Sequence, residues 1–341
     1  MKDKLKQSII LQMLWNALKG LRHGYYLAKE QKMLSRQTVS TQTEVHNVEK
    51  EYTFIDRRHN HKKLCLILCG YKESLWDAVF TRIKNYIPED VDVCAVISGK
   101  AVPYIDDLCE KNGWSYLSTR RNQLCLAQNV AISLHPEAEW IYKVDEDMFL
   151  TKGFFEKMME TFNECEKSSA YEPGFVAPLI NVSCYGYIRI LEKLHLIDDF
   201  TKRFFYPKYT DGLHHHKEVL EDSEISKYMW GSENEVLADI DAMTQEFSKG
   251  GLSYSVCPTR FSIGALLFKR SAWNEFAGFP VDGGNGLGAD EERICYYTFF
   301  TGRAIIINEN VVVGHMGYGP QTKDMIEYYL DHKAQFEYKD I

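Results

Sequence analysis

Asp145 and Asp147 stand one residue apart at the end of the stretch Trp140-Ile-Tyr-Lys-Val-Asp-Glu-Asp, with Glu146 between them. Carboxylates at i and i+2 just past a buried strand can both turn toward one point. Hard cations such as Mg2+ and Mn2+ take oxygen ligands and keep positions open for phosphate oxygens. A nucleotide diphosphate bridged by such an ion leaves more readily, because the metal offsets the charge that develops on it. A solvated acidic turn would show the same three residues, so the triplet has to be weighed with its surroundings. Arg120-Arg121 could grip a diphosphate bidentately, or be plain surface charge. His214-His215-His216 is read as a loop and not as a metal site, since adjacent residues rarely point at one ion.

The elements that would position these groups alternate. Lys-Leu-Cys-Leu-Ile-Leu-Cys-Gly-Tyr (63–71) is an apolar run ending near glycine, as in a buried parallel strand. A helix over 74–86, a strand over 91–99, a helix over 101–112, a strand over 114–119 and a helix over 122–134 lead to the strand that ends at the acidic triplet. Thr151 is the expected N-cap of a helix over 152–165. Alternation of this kind predicts an α/β fold with a mostly parallel, Rossmann-like sheet flanked by helices. Ligands then sit beyond the carboxyl ends of the strands. That places Gly70, Tyr71, Lys72 and Glu73, then Ser98-Gly99-Lys100, Arg120-Arg121 and the acidic triplet on one rim. A further strand is expected over 174–180, a strand and short helix over 259–280, a helix over 288–303, and a strand with an edge loop over 304–317.

Five blocks in order resemble the GT-A-fold glycosyltransferases, close to the large inverting family 2 group. They are LCLILCGYKES (64–74), LCLAQNVAIS (124–133), WIYKVDEDMFLTKGFFEKM (140–158), FSIGALLFKRSAWNEFAGFP (261–280) and GLGADEERICYYTFFTG (286–302). The resemblance implies a metal-dependent transfer of a sugar from a nucleotide-diphosphate donor to a hydroxyl on a carbohydrate or glycolipid. Gly70, Tyr71, Glu73, Ser98, Arg120, Asn129 and Asp145 would bind the donor. Asp145, Asp147 and His315 would hold Mn2+ or Mg2+. Asp290 or Glu291 would take the acceptor proton, with Glu292 an outside candidate, and the reaction would invert. The chain departs from the family in three places. Gln128 stands where an arginine is usual, Asp-Glu-Glu replaces the usual Glu-Asp, and the aspartate that reads the nucleobase is missing near Ser98.

The chain is 341 residues long, 45% hydrophobic and 26% charged, with a formal net charge of −8. That balance argues against a general nucleic-acid binder. Residues 1–36 carry eight Lys/Arg against two acids, a net of +6, which leaves −14 for the rest. Residues 4–34 read as a basic amphipathic helix that meets a membrane surface, pairs with a partner helix or packs on its own domain. Residues 1–60 are thus read as helix and linker, 61–320 as the catalytic domain, and 321–341 as a C-terminal helix or tail. Residues 181–256 are read as an irregular insertion, an acceptor lid whose Phe204, Phe205, Tyr206 and Trp230 stack on sugars or pack in the core. Nine cysteines with no C-x-x-C pair read as reduced core thiols, and the chain as cytoplasmic, peripheral to a membrane at most. The expected pathway is surface polysaccharide or glycolipid synthesis. A nucleotidyltransferase acting on sugar phosphates, or a non-catalytic sugar-binding protein of the same fold, are the rival readings.

Overall fold

The structure is a computed structural model and describes residues 51–211, 214–281 and 285–340. The expected helix 4–34 lies outside them. Strand β1 (Tyr52–Ile55) falls inside the stretch read as linker and corrects that reading. Then follow β2 (Lys63–Cys69), α1 (Trp76–Tyr86), β3 (Val91–Ser98), α2 (Pro103–Asn112), β4 (Ser115–Thr119), α3 (Leu124–Leu134), β5 (Trp140–Asp145), β6 (Met148–Phe149), α4 (Phe154–Ser168) and β7 (Pro173–Ile180). Residues 181–256 are not irregular. They form α5 (Gly186–Lys193), α6 (Ile197–Arg203), β8 (Thr210–Asp211), β9 (His214–His215), α7 (Lys217–Glu221), α8 (Ser223–Met229), α9 (Ile240–Phe247) and β10 (Tyr254–Cys257). The chain ends with β11 (Ala265–Lys269), α10 (Arg270–Glu275), α11 (Ala289–Phe300), β12 (Ala304–His315), α12 (Thr322–Asp331) and α13 (Lys333–Phe336).

The main sheet runs in the order β1-β4-β3-β2-β5-β11-β7-β12-β10, with β6 paired to β12 off this path. Strands β4, β3, β2 and β5 are parallel, as are β7 and β12. β11 is antiparallel to both β5 and β7, and the two edges, β1 and β10, are antiparallel to their neighbours. The fold is therefore mixed α/β with a mostly parallel sheet and flanking helices, as expected. β2, β3 and β4 step outward in chain order, and the chain then returns to place β5 on the other side of β2. The strand order thus reverses between β2 and β5, whose registers end with Leu68 opposite Asp145. A cleft opens at such a switch point because the loops there leave in opposite directions.

Thr151 does not cap α4. Its buried hydroxyl bonds the Val312 carbonyl at 2.8 Å and lies 2.9 Å from the Thr244 hydroxyl, and Gly153, with φ +85°, takes the cap position. The expected strand over 304–317 is β12, which lies between β7 and β10 and is buried along its whole length. The C-terminal residues dock, with Phe336 against Phe149 and Trp230. Arg82 of α1 ties this region together. Its guanidinium pairs with Asp241 at 2.8 and 3.0 Å and donates to the carbonyls of Leu150, Phe336 and Glu337. A fully buried guanidinium is tolerable only with its donors satisfied in this way. All nine cysteines are buried free thiols, and no described helix is long and apolar enough to cross a membrane.

Candidate active site

The acidic triplet turns at the end of β5, and the chain then runs straight into β6. β6 pairs antiparallel with the end of β12, which puts Met148 opposite His315 and Phe149 opposite Gly314. That two-residue ladder brings Asp147 beside His315 across 168 residues of sequence. His315 is fixed from three sides. Its N–H donates to Asn181 Oδ1 at 2.8 Å, its carbonyl accepts from Trp230 Nε1 at 2.9 Å, and its Nδ1 lies 2.7 Å from the Val182 carbonyl. A carbonyl only accepts, so Nδ1 carries the hydrogen, and in the neutral ring the lone pair sits on Nε2.

That Nε2 faces Asp147 Oδ2 at 3.4 Å. Two acceptor atoms so placed call for a cation, and metal-bound histidines commonly give their other N–H to a backbone carbonyl. The pair therefore fits a divalent ion. Asp147 is 4% exposed. Burial would raise its pKa, but the Lys72 ammonium outweighs it and holds the carboxyl well below the usual range. Lys72 Nζ is in direct contact with Asp147 Oδ2. Among the described residues no three His, Cys, Asp or Glu side chains gather as a metal-binding group. Asp145 accordingly does not join the pair. Its Oδ1 accepts from Lys143 Nζ at 2.8 Å, and its carboxyl, 34% exposed on the cleft floor, is pushed up to about 6 by burial, against the pull of Lys143.

Glu146, to which the sequence assigned no role, organises the loop after β2. It is buried, and it accepts from the backbone N–H groups of Gly70 (2.9 Å) and Tyr71 (3.0 Å) and from Trp76 Nε1 (2.5 Å). Gly70 sits at φ +128°, where a Cβ would stand 3.0 Å from the Ile97 side chain, so only glycine makes this turn without strain. The loop then presents Tyr71, 56% exposed, whose hydroxyl donates to the Ser98 carbonyl at 2.5 Å and whose ring carries Lys100 Nζ 4.3 Å from its centroid. Asn122, which the sequence reading missed, lies 3.4 Å from the Ser98 hydroxyl and 3.3 Å from the Tyr71 hydroxyl. Tyr71, Ser98 and Asn122, with Lys72, the acidic triplet, Asn285, Leu287, Gly319 and Thr322, line a cleft of about 490 Å3.

The two base candidates differ sharply. Asp290 is 3% exposed and accepts from Gln128 Nε2 (2.9 Å) and from the N–H of Glu291 (3.0 Å), with Lys143 Nζ 3.9 Å away. Lys143 is itself buried within β5 and also donates to the Ile263 carbonyl at 2.8 Å. Glu291 Oε1 meets Arg260 Nε at 2.5 Å and His215 Nε2 at 2.9 Å. Burial would raise its pKa, but these two cations lower it. The histidine run thus contributes through His215, as an ion-pair partner, while His216 stands 3.3 Å from Glu218.

Four expected donor residues do not line this cleft, Gly70 being one of them. Asn129 is buried, with its carboxamide bonded to Trp273 Nε1 and to both the N–H and the carbonyl of Phe279, so it braces the loop after α10. Arg120 lies in a separate, open depression beside Glu51 and Lys100. Glu73 is exposed at the start of a short 3-10 turn. Trp230 is 1% exposed and packs on Phe149, so it is a core residue and not a sugar platform. Phe205 packs on His216, and Tyr206 is exposed.

No family model and no curated protein sequence matches the chain. Solved structures similar in fold include the following two. One is GalNAc-T7 with UDP, GalNAc and Mn2+, with 12% identity and a TM-score of 0.42 over 80% of this chain and 48% of that one. The other is the mannosyltransferase PcManGT from Pyrobaculum calidifontis in complex with GDP-Man and Mn2+, with 12% identity and a TM-score of 0.44 over 89% of this chain and 74% of that one. The chain spans about half the length of the first. Both are distant likenesses of chain path.

Two outcomes follow from this geometry. Glu146→Gln replaces an acceptor oxygen by a donor among three N–H groups, so it should cost about 1–3 kcal/mol in denaturant unfolding; an unchanged midpoint would show that the loop does not depend on this carboxylate. Burial opposes protonation of His215, but contacts with Cys184 and Glu291 prevail and push its pKa up to about 10 from 6.5. A raised value stabilises the fold fully below pH 6.5, and the gain is lost as pH rises through about 10. His215→Gln should therefore melt several degrees below the native chain near pH 6, with the gap narrowing from about pH 7 to 10 in thermal scans. A gap that stays constant across that window would refute the pairing.

Proposed function

We propose that the cleft transfers a sugar from a nucleotide-diphosphate donor to a hydroxyl acceptor, with a divalent metal ion as cofactor. The observation that carries this reading is the facing pair of Asp147 Oδ2 and His315 Nε2 at 3.4 Å, with the imidazole tautomer set by Val182 and with Asp147 lining the switch-point cleft. One carboxylate oxygen and one imidazole nitrogen suit Mn2+ better than Mg2+, which prefers oxygen alone. Bound there, the ion would supply charge stabilisation to the departing diphosphate. The five ordered sequence blocks support placing the chain with the GT-A glycosyltransferases.

The chain's own residues divide the remaining work. Tyr71 offers a ring to the nucleobase, and Ser98 and Asn122 supply polar groups beside it where an aspartate is missing. Lys72 faces the position of the phosphates. Asp145 lies on the floor, where a ribose or sugar hydroxyl can reach it. Glu291 is the acceptor base in preference to Asp290, which is closed in by Gln128, Lys143 and its own helix start. Both cations on Glu291 contact Oε1 among the described residues, which leaves Oε2 to the acceptor hydroxyl. Proton removal on the face opposite the diphosphate makes a direct, inverting displacement.

The test is a panel of nucleotide sugars followed by thermal shift and by hydrolysis, with and without Mn2+. At least one donor should raise the melting temperature and be hydrolysed in an Mn2+-dependent way, with Asp147→Asn and His315→Ala each reducing turnover on the order of 100-fold or more. If no nucleotide sugar shifts the melting temperature with Mn2+ present, the transferase reading fails. Pyrophosphate release from a nucleoside triphosphate and a sugar phosphate would point to a nucleotidyltransferase instead.

A further inference from the structure

Lys72 is a cation placed where the proposed metal ion would bind. Its Nζ contacts Asp147 Oδ2, the same oxygen that faces His315 Nε2. Its backbone follows Gly70 and Tyr71, whose N–H groups are held by Glu146, so the root of the side chain is fixed and the four-carbon stem is its movable part. Its side chain is 25% exposed and lines the cleft, leaving room for the ammonium to swing toward a ligand.

Resting on the metal reading above, we infer that Lys72 is a tethered competitor for the ion position, and that it yields only when a diphosphate enters. Asp147 and His315 alone give a divalent ion two protein atoms, and a hydrated ion must displace an ammonium that is covalently held at high effective concentration. A diphosphate changes both sides of that exchange. Its oxygens complete the coordination of the ion, and its negative charge gives Lys72 Nζ a new partner, so the ammonium leaves Asp147 without becoming unpaired. Ion and donor then bind with positive coupling, which is reciprocal by linkage. Without nucleotide the site stays closed by its own lysine.

The experiment is Mn2+ binding to the full chain, read from the electron paramagnetic resonance signal of free Mn2+ without nucleotide and from water-proton relaxation with UDP or GDP added. Lys72→Met should bind Mn2+ about 10-fold or more tightly than the native chain in the absence of nucleotide, a gain that corresponds to about 1.4 kcal/mol. Lys72→Arg, which keeps a tethered cation, should stay as weak as the native chain, and Asp147→Asn combined with Lys72→Met should lose the gain. Circular-dichroism melts verify that each variant is folded. If Lys72→Met and the native chain bind Mn2+ equally, through Asp147, the competitor role is overturned while the metal reading stands. If no variant binds Mn2+ in an Asp147-dependent way, with or without UDP or GDP, the metal reading fails and the inference with it.

Discussion

Burying the Asp147 carboxylate obliges the chain to keep positive charge against it. Taken out of water without a partner, such a group would cost several kcal/mol or take up a proton. Lys72 supplies that charge, and His315 brings a neutral ring nitrogen to the same carboxylate oxygen. Lys72 comes from the loop after β2, and His315 comes from the end of β12, drawn in by the short β6–β12 ladder. Lys72 arrives because the strand order reverses between β2 and β5, so the loops after those strands open a cleft and do not fill it. Glu146 then secures the wall that carries Lys72. Its two oxygens collect the N–H groups of Gly70, Tyr71 and Trp76, groups that a glycine-turned loop would otherwise leave to water.

The same rule of paired charge shapes the surroundings of Asp290 and Glu291 in two tiers. The inner tier is Lys143 with Asp145 and Asp290, a buried ammonium shared between carboxylates and capped by Gln128. The outer tier is Glu291 with Arg260 and His215. Asp290 is thereby committed to holding the inner tier together, and Glu291 is kept ionised in the outer one by its two cations. Asp145 takes part in both worlds, anchored below by Lys143 and open above to the cleft. Its carboxyl is pushed up to about 6 by burial, against Lys143, which separates it from the strongly ionised Asp147 two residues away.

The parallel half of the sheet was legible because each buried strand is an apolar run and each helix has one apolar face. The rim followed from that alternation alone, and so did the nearness of Gly70, Tyr71, Ser98 and Asp145 to one cleft. What could not be read were contacts set by distant chain. Asn129 looks like a donor ligand in a motif, yet its carboxamide is spent on the loop at Trp273 and Phe279. Glu146 looks like the idle member of an acidic triplet because nothing local shows that two backbone N–H groups and an indole will meet it. Residues 181–256 read as irregular because their helices are short and their aromatic residues face several neighbours. Trp230, Asn181 and Val182 from that region in fact set the position of His315. One signal was available and unused: Lys143, a charge inside a buried strand, had to have a carboxylate partner.

The central claim is that Asp147 and His315 share one divalent ion. Crystals grown with Mn2+ and a nucleoside diphosphate, measured at the manganese absorption edge, test it most directly. The account predicts an anomalous peak bonded to Asp147 Oδ2 and His315 Nε2, with Lys72 Nζ withdrawn from Asp147 onto the diphosphate. A nucleotide bound in the cleft with Lys72 still on Asp147, and no anomalous peak between those two side chains, would contradict it.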